Sequence, residues 1–472
     1  MKENKIYLPQ TTLTQRTYYK KDIFSSCLFV FVRGKILIGF FLLINFSVFA
    51  QSINLEQARE LGLINSRSLA RYEMQIRSSI LDERSQLYSM LPQISAGYSA
   101  SMHFLKDWQF INPIDEFSIG ANISITQIIF QGGKSFVQKA IAEIATESVR
   151  IDARNEYFNV IDSVDNAYYS VLEAKAALEA EEMSLQAAGI GYSIAEVRQM
   201  SGMINQGDYL KALADKEARE NSRNQARRNL TMSMNKFKSL IGIDENLELE
   251  QISFDNYKNL IQHLGTISDE QADALFDIFW ELIISSNPAL AKAALNSERA
   301  KKNYSIAKRD YAPTISATLF STDMAFLPSF RANGSMGVTL RGTIPIDFWV
   351  LTNRLEKSRI SRDSTNIDYA NTENSLEHEL LNSLFNLFSQ AGTVLSSRRS
   401  LEYTERHFEY VMQRYRLSQS SVSDLNDATS LFINSRNSLN RASYSFLQNL
   451  SKLRALCAID DEAELLDLLM LR

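Results

Sequence analysis

From Phe117 to Thr126 apolar and small polar residues alternate. Phe117, Ile119, Ala121, Ile123 and Ile125 are separated by Ser118, Gly120, Asn122 and Ser124. A period of two puts the apolar set on one face of a β-strand. Continued to Phe130, at about 3.4 Å per residue, the strand is long enough to cross a bilayer. Taken alone, the pattern favours a half-buried strand of a soluble sandwich. Three further stretches alternate in the same way. They carry Ile94, Ala96, Tyr98, Ala100, Met102 and Phe104 after Pro92; Ile315, Ala317 and Leu319 after Pro313; and Met336, Val338 and Leu340. An aromatic-rich loop, Phe104 to Phe117, joins the first pair, and a loop from Ser321 to Arg331 joins the second.

Elsewhere the period lengthens. Val160, Val164, Ala167, Val171, Ala174 and Leu178 step by four and three, and Leu425, Phe432, Leu439, Phe446 and Leu453 recur every seven. A seven-residue repeat keeps a seam against a neighbouring helix and imposes a left-handed supercoil. Tyr157, Ile161, Tyr168 and Leu172 form a second stripe, so these helices need neighbours on two sides, as in a ring or bundle. Pro92, Pro113, Pro288, Pro313, Pro328 and Pro345 stand at predicted helix starts, strand starts or loop tips, where a missing N–H does no harm. None falls between Pro113 and Pro288, or after Pro345, and the long helices belong there. A helix from about Gln131 to about Met200 is roughly 100 Å long. A monomeric globule has no use for that length.

The chain reads twice. Ser68-Leu69-Ala70 leads through a helix to Leu91-Pro92-Gln93-Ile94, and Ala289-Leu290-Ala291 leads to Ala312-Pro313-Thr314-Ile315 in the same register. Such self-similarity is the mark of a duplicated unit. The expected division is a signal peptide at 1–50, a first-repeat helix at 51–91, a first transmembrane hairpin at 92–130 and a long helical hairpin at 131–240. An equatorial segment at 241–275, a second-repeat helix at 276–312 and a second transmembrane hairpin at 313–347 follow. A second helical hairpin at 348–457 and a C-terminal equatorial segment at 458–472 complete it.

Arg33 and Lys35, the apolar run Ile36 to Phe46 and Val48-Phe49-Ala50 have the order of a secretory signal, with maturation expected near Gln51. Cys27 would leave with it, without a lipoprotein signal around it, so Cys457 remains as the single cysteine of the mature chain and no intrachain disulfide is predicted. The net charge of -5 becomes more negative without the leader, which argues against nucleic acid as a partner. The four histidines (His103, His263, His378 and His407) form no ligand motif, and no nucleophile–base arrangement is visible. Neither metal, cofactor nor enzymatic activity is expected. Gln131-Gly-Gly-Lys134 looks like a fragment of a phosphate loop but lacks its spacing. No run of about 20 apolar residues follows the leader, so a membrane crossing must use a barrel.

Four strands cannot close one; the smallest barrels need about eight. More than one chain is therefore required. At this point the chain resembles the TolC family of outer-membrane efflux proteins. The likeness lies in Leu91-Pro92-Gln93-Ile94 and Ala312-Pro313-Thr314-Ile315 entering strands, Gln127 to Gly133 and Ile344-Pro345-Ile346 leaving them, and Tyr415-Arg416-Leu417-Ser418 followed by Ser423 to Thr429. The resemblance implies an α+β membrane protein, a long coiled-coil helical barrel joined to a transmembrane β-barrel. Each chain gives four strands, and a homotrimer closes twelve. It implies the outer membrane of a Gram-negative-type envelope, a tunnel through the periplasm, a periplasmic adaptor (membrane fusion) protein, and an inner-membrane pump such as a resistance-nodulation-division transporter or a cassette ATPase. The duct is passive. Small molecules (drugs, metals, metabolites) come ahead of proteins as cargo, with a type I protein-secretion duct as the alternative. A secreted coiled-coil structural scaffold is the rival from another class.

The resemblance also places an acidic pore constriction at Asp424 and Asp427, which are three apart on one helical face. Read locally, Asp424 is a helix N-cap and Asp427 a first-turn acid. Asp208 and Tyr415 match a contact that closes the periplasmic gate; locally they read as a helix cap after Gly207 and a packing aromatic. Ser420 stands where the family pattern has an arginine, and Gly207 replaces a hydroxyl residue, so the gate here is held differently.

Overall fold

The computed structural model describes residues 52–102, 117–244, 247–322 and 335–470. The signal peptide and nearly all of both strand-connecting loops lie outside them. The chain runs β1 (Ser52–Ile53), α1 (Leu55–Asn65), α2 (Arg67–Tyr88), β2 (Gln93–Met102), β3 (Phe117–Phe130), α3 (Lys134–Met200), α4 (Gln206–Ile241) and β4 (Glu248–Leu249). After a 3₁₀ turn come α5 (Lys258–Leu264), α6 (Asp269–Ser286), α7 (Pro288–Arg309), β5 (Thr314–Thr322), β6 (Ser335–Thr343), α8 (Phe348–Arg416), α9 (Val422–Cys457) and α10 (Glu462–Leu469).

The repeat extends to the caps. Ser66 caps α2 through the Leu69 N–H, and Asn287 caps α7 through the Ala289 and Leu290 N–H groups, with Pro288 in the first turn. α6 begins at Asp269, ahead of the expected 276, because Ser268 and Gln271 form a reciprocal capping box. The helix preceding each hairpin is therefore two helices, broken at Ser66 and at Asn287.

β2, β3, β5 and β6 form one antiparallel sheet in the order β2-β3-β5-β6. The central β3–β5 pair joins the two repeats, with a register shift between Ile128 and Phe130. Pairing aligns Ile94 with Ile125, Ile125 with Leu319 and Leu319 with Val338, so one face is apolar across all four strands. The other face is largely polar, with Phe320 and Ile128 as apolar exceptions: Ser95 Oγ lies 2.7 Å from Ser124 Oγ, and Thr126 Oγ1 3.2 Å from Thr318 Oγ1. The apolar face is open. Tyr98 is 87 % exposed, Met336 78 % and Val338 72 %.

Gly132 and Gly133 turn β3 into α3 at φ +65° and +71°. A Cβ on Gly132 would stand 2.5 Å from that of Ala312, so both space and backbone demand glycine. Asp310, closing α7, pairs with Lys134 at 2.7 Å and Arg354 at 3.2 Å across the same junction. Lys134 thus has a structural partner.

The main core lies along the middle of the long helices. Val164, Tyr168 and Leu172 of α3, Phe237 of α4, Phe279 of α6, Leu380 and Leu387 of α8, and Phe446 and Leu453 of α9 meet Leu465 and Leu469 of α10 there. The Tyr168 hydroxyl donates to the Glu250 carbonyl at 2.7 Å, beside the two-residue parallel pair β1–β4. A buried ionic network binds the same level. Arg59 makes a two-pronged bond to Asp165 at 2.6 and 2.8 Å and a third to Glu462 at 2.8 Å. Ser451 Oγ donates to Asp165 at 2.9 Å, and the Tyr257 hydroxyl to Glu462 at 2.9 Å. The two segments that break the helical pattern, one before α6 and one after α9, are thus in contact.

Candidate functional site

A second cluster of buried side chains closes the far end of the helical hairpins. The first hairpin contributes Ala187, Ala195 and Ala212, and the second Val411, Met412, Tyr415, Val422, Leu425 and Ala428. Alanines on one side let the larger side chains of the other sink in. The α3–α4 and α8–α9 turns sit on this cluster. Each has a left-handed residue, Gly202 at φ +71° and Ser418 at φ +62°. Met203 N donates to Arg198 O and Gln419 N to Arg414 O, both at 2.8 Å, closing the two turns alike.

The cap of α9 is Ser421, not Asp424. Ser421 Oγ accepts from Asp424 N at 3.1 Å, and the Asp424 carboxylate accepts from Ser421 N at 2.9 Å and Ser420 Oγ at 3.1 Å. Asp424 thus holds the third position of a capping box. The N–H of Ser421 and the hydroxyls of Ser421 and Ser420 hold its carboxyl below the usual carboxylate range. Asp424 and Asp427 are both exposed, while Val422, Leu425 and Ala428 point into the cluster. The opposite turn is capped at the matching position, without the reciprocal backbone bond. Asn205, not Asp208, caps α4, and Asp208 N donates to Asn205 Oδ1 at 2.9 Å.

The Asp208–Tyr415 contact expected from sequence takes another form. Tyr415 is fully buried, and its hydroxyl donates to the Gly191 carbonyl of α3 at 3.1 Å. The Asp208 carboxylate accepts from Asn205 Nδ2 at 3.1 Å. Burial raises the Tyr415 phenol, nearby Arg198 pulls it down, and the charge of Asp208 pushes it up. The remaining link was not anticipated: Arg198 Nη2 donates to the Tyr415 carbonyl, and its guanidinium lies over the Tyr415 ring, 4.5 Å from the centroid. The signal was available, since Arg198 and Arg414 both stand four residues before the left-handed residue of their turn. Lys211 Nζ to Ser423 Oγ at 3.1 Å and Arg219 Nη2 to Ser430 Oγ at 2.6 Å join α4 to α9.

Among the described residues no group of His, Cys, Asp and Glu is close enough to hold a metal ion, and no helix is long and apolar enough to cross a membrane. Helices of some 100 Å serve to hold two ends of a chain apart. Here the ends are a sheet with an open apolar face and a tip bearing the exposed carboxylates of Asp424 and Asp427. The family model described as outer membrane efflux protein matches residues 59–243 and 280–458, and the chain belongs to that family. Outer membrane protein TolC of Escherichia coli (strain K12) is 20% identical over 450 residues, covering 90% of this chain and 86% of TolC. Among solved structures, the CmeC outer membrane channel of Campylobacter jejuni aligns with a TM-score of 0.70 at 16% identity, over 87% of this chain and 88% of CmeC. The outer membrane protein VceC of Vibrio cholerae aligns with a TM-score of 0.69 at 16% identity, over 85% and 95%. At these identities the structural likeness is one of fold.

Proposed function

We propose that three copies of this chain form a passive export duct of the outer membrane. Their twelve strands close a barrel through the bilayer, and their helices enclose a tunnel through the periplasm. The observation that carries this reading is the sheet. Its apolar face is open, and its edge strands β2 and β6 need partners, because an unpaired edge N–H or C=O in lipid costs several kcal/mol. Family membership supports the trimer. The tip is the gate. Asp424 and Asp427 of three chains ring the lumen with six carboxylates that favour cations and retard anions. A periplasmic adaptor and an inner-membrane pump dock, splay the tip helices and widen this ring. The cargo is small molecules, in keeping with the efflux relatives.

Detergent extraction of cell envelopes, followed by mass measurement of the purified particle, tests the assembly. A trimer from the outer-membrane fraction is expected; a soluble monomer or dimer removes the duct. In planar bilayers Asp424→Ala with Asp427→Ala should weaken cation preference, and unchanged conductance and selectivity would disprove the constriction.

A further inference from the structure

The two hairpins carry an arginine at the same place in each turn, and the two have diverged. Arg414 folds back on its own hairpin. It donates to the Gln419 carbonyl at 3.1 Å, stands 5.7 Å from the Tyr410 ring centroid and remains exposed. Arg198 leaves its own hairpin. It is 8 % exposed, and both the carbonyl and the ring that receive its guanidinium belong to Tyr415 of the other hairpin. A buried guanidinium is costly unless its donors are satisfied, so Arg198 keeps this environment only while the hairpins touch. The accepting carbonyl lies in the last turn of α8, where the unpaired ends of the helix carry partial negative charge. It also accepts from Ser418 N at 3.1 Å, which ties the bond to the turn itself.

We propose that Arg198 is the latch of the closed tip, a positioning residue that holds the α8–α9 turn onto α3 in the role left vacant by Ser420. The proposal rests on reading the tip as a gate. Swinging the second hairpin outward breaks the Arg198–Tyr415 bond, the cation–π contact and the Tyr415–Gly191 bond together, and brings the guanidinium into water. A lysine offers a point charge without the planar fork, so it cannot hydrogen-bond the carbonyl and stack on the ring at once.

The test compares the full-length wild type with Arg198→Gln, Arg198→Lys and Arg414→Gln in two measurements, bilayer conductance and hydrogen exchange at both tips. Arg198→Gln should raise conductance and speed exchange in both turns about tenfold, the effect of losing one charge-assisted hydrogen bond. Arg198→Lys should fall between it and the wild type. Arg414→Gln should loosen only its own turn and conduct as the wild type does. Wild-type conductance in Arg198→Gln overturns the latch, whether exchange is unchanged or faster, since faster exchange alone marks a packing role. A wild-type protein that forms no channels overturns the duct reading instead. Exchange at the two tips then decides alone whether Arg198 ties the hairpins, and equal rates overturn the tie.

Discussion

Replacing Asp165 by leucine isolates the buried ionic network. The carboxylate is fully buried and accepts three hydrogen bonds, two from Arg59 and one from Ser451. Removing it leaves Arg59, 12 % exposed at its side chain, with Glu462 as its remaining carboxylate. Breaking a buried pair from one side costs about 3–5 kcal/mol, and Glu462 alone does not replace the two bonds that Arg59 loses. For a chain of 472 residues the unfolding entropy is about 1 kcal/mol/K, so the melting temperature should fall by about 3–5 °C. Arg59→Met added to Asp165→Leu removes the stranded charge as well, and should recover at least half of the loss. Scanning calorimetry of the detergent-purified protein at one fixed scan rate reads all four combinations. Single variants within about 1 °C of the wild type, or a double variant showing the full sum of both losses, would refute the network as a stabilising unit.

Three further outcomes are expected. Gly62 faces α3 so closely that an added Cβ would stand 2.5 Å from Val164 Cγ2, so Gly62→Ala should cost about 1–3 kcal/mol, measured as a lower melting temperature. Ser418→Gly removes a side chain from a left-handed position and should slow exchange at Gln419, by up to about fivefold after the unfolded chain's extra freedom is allowed for. The depressed pKa of Asp424 means that its contribution to the first turn of α9 is complete above its ordinary value of 3.8 and is lost as the pH falls through the lower folded value. Exchange there, corrected for the intrinsic rate, should stay flat down to about pH 5 and rise below 3.8, and Asp424→Asn should abolish the rise.

Strands and long helices were legible because their signals are local and repeated. Period two marks β2, β3, β5 and β6, and the absence of proline marks α3 and α8. The breaks at Ser66 and Asn287 and the early start of α6 are written in single capping residues, which periodicity averages away. The sequence pattern places Asp208, Tyr415, Asp424 and Asp427 beside the turns between the long helices, but it does not show what Tyr415 binds, Gly191 and Arg198. Tyr415 binds a backbone carbonyl, and no side-chain motif announces a carbonyl acceptor. Arg59 of α1, Asp165 of α3 and Glu462 of α10 are distant in sequence and meet only in the folded core. Arg198 was overlooked because an arginine in the last turn of a helix ordinarily serves its own carbonyls, as Arg414 does.

The central seam of the sheet constrains how the protein is made. Ile125 pairs with Leu319, so β3 cannot meet β5 until the whole first helical hairpin and the segment after it have been synthesised. Closing a loop of roughly 190 residues carries an entropy cost of about 4–5 kcal/mol, whereas each helical hairpin closes through a turn of a few residues. The hairpins therefore fold first and act as a splint that brings the two strand pairs together. Until then each pair is an isolated two-stranded ribbon, too small to be stable alone in water. Folding consequently proceeds from the helices toward the sheet, and the open apolar face is the last to be completed.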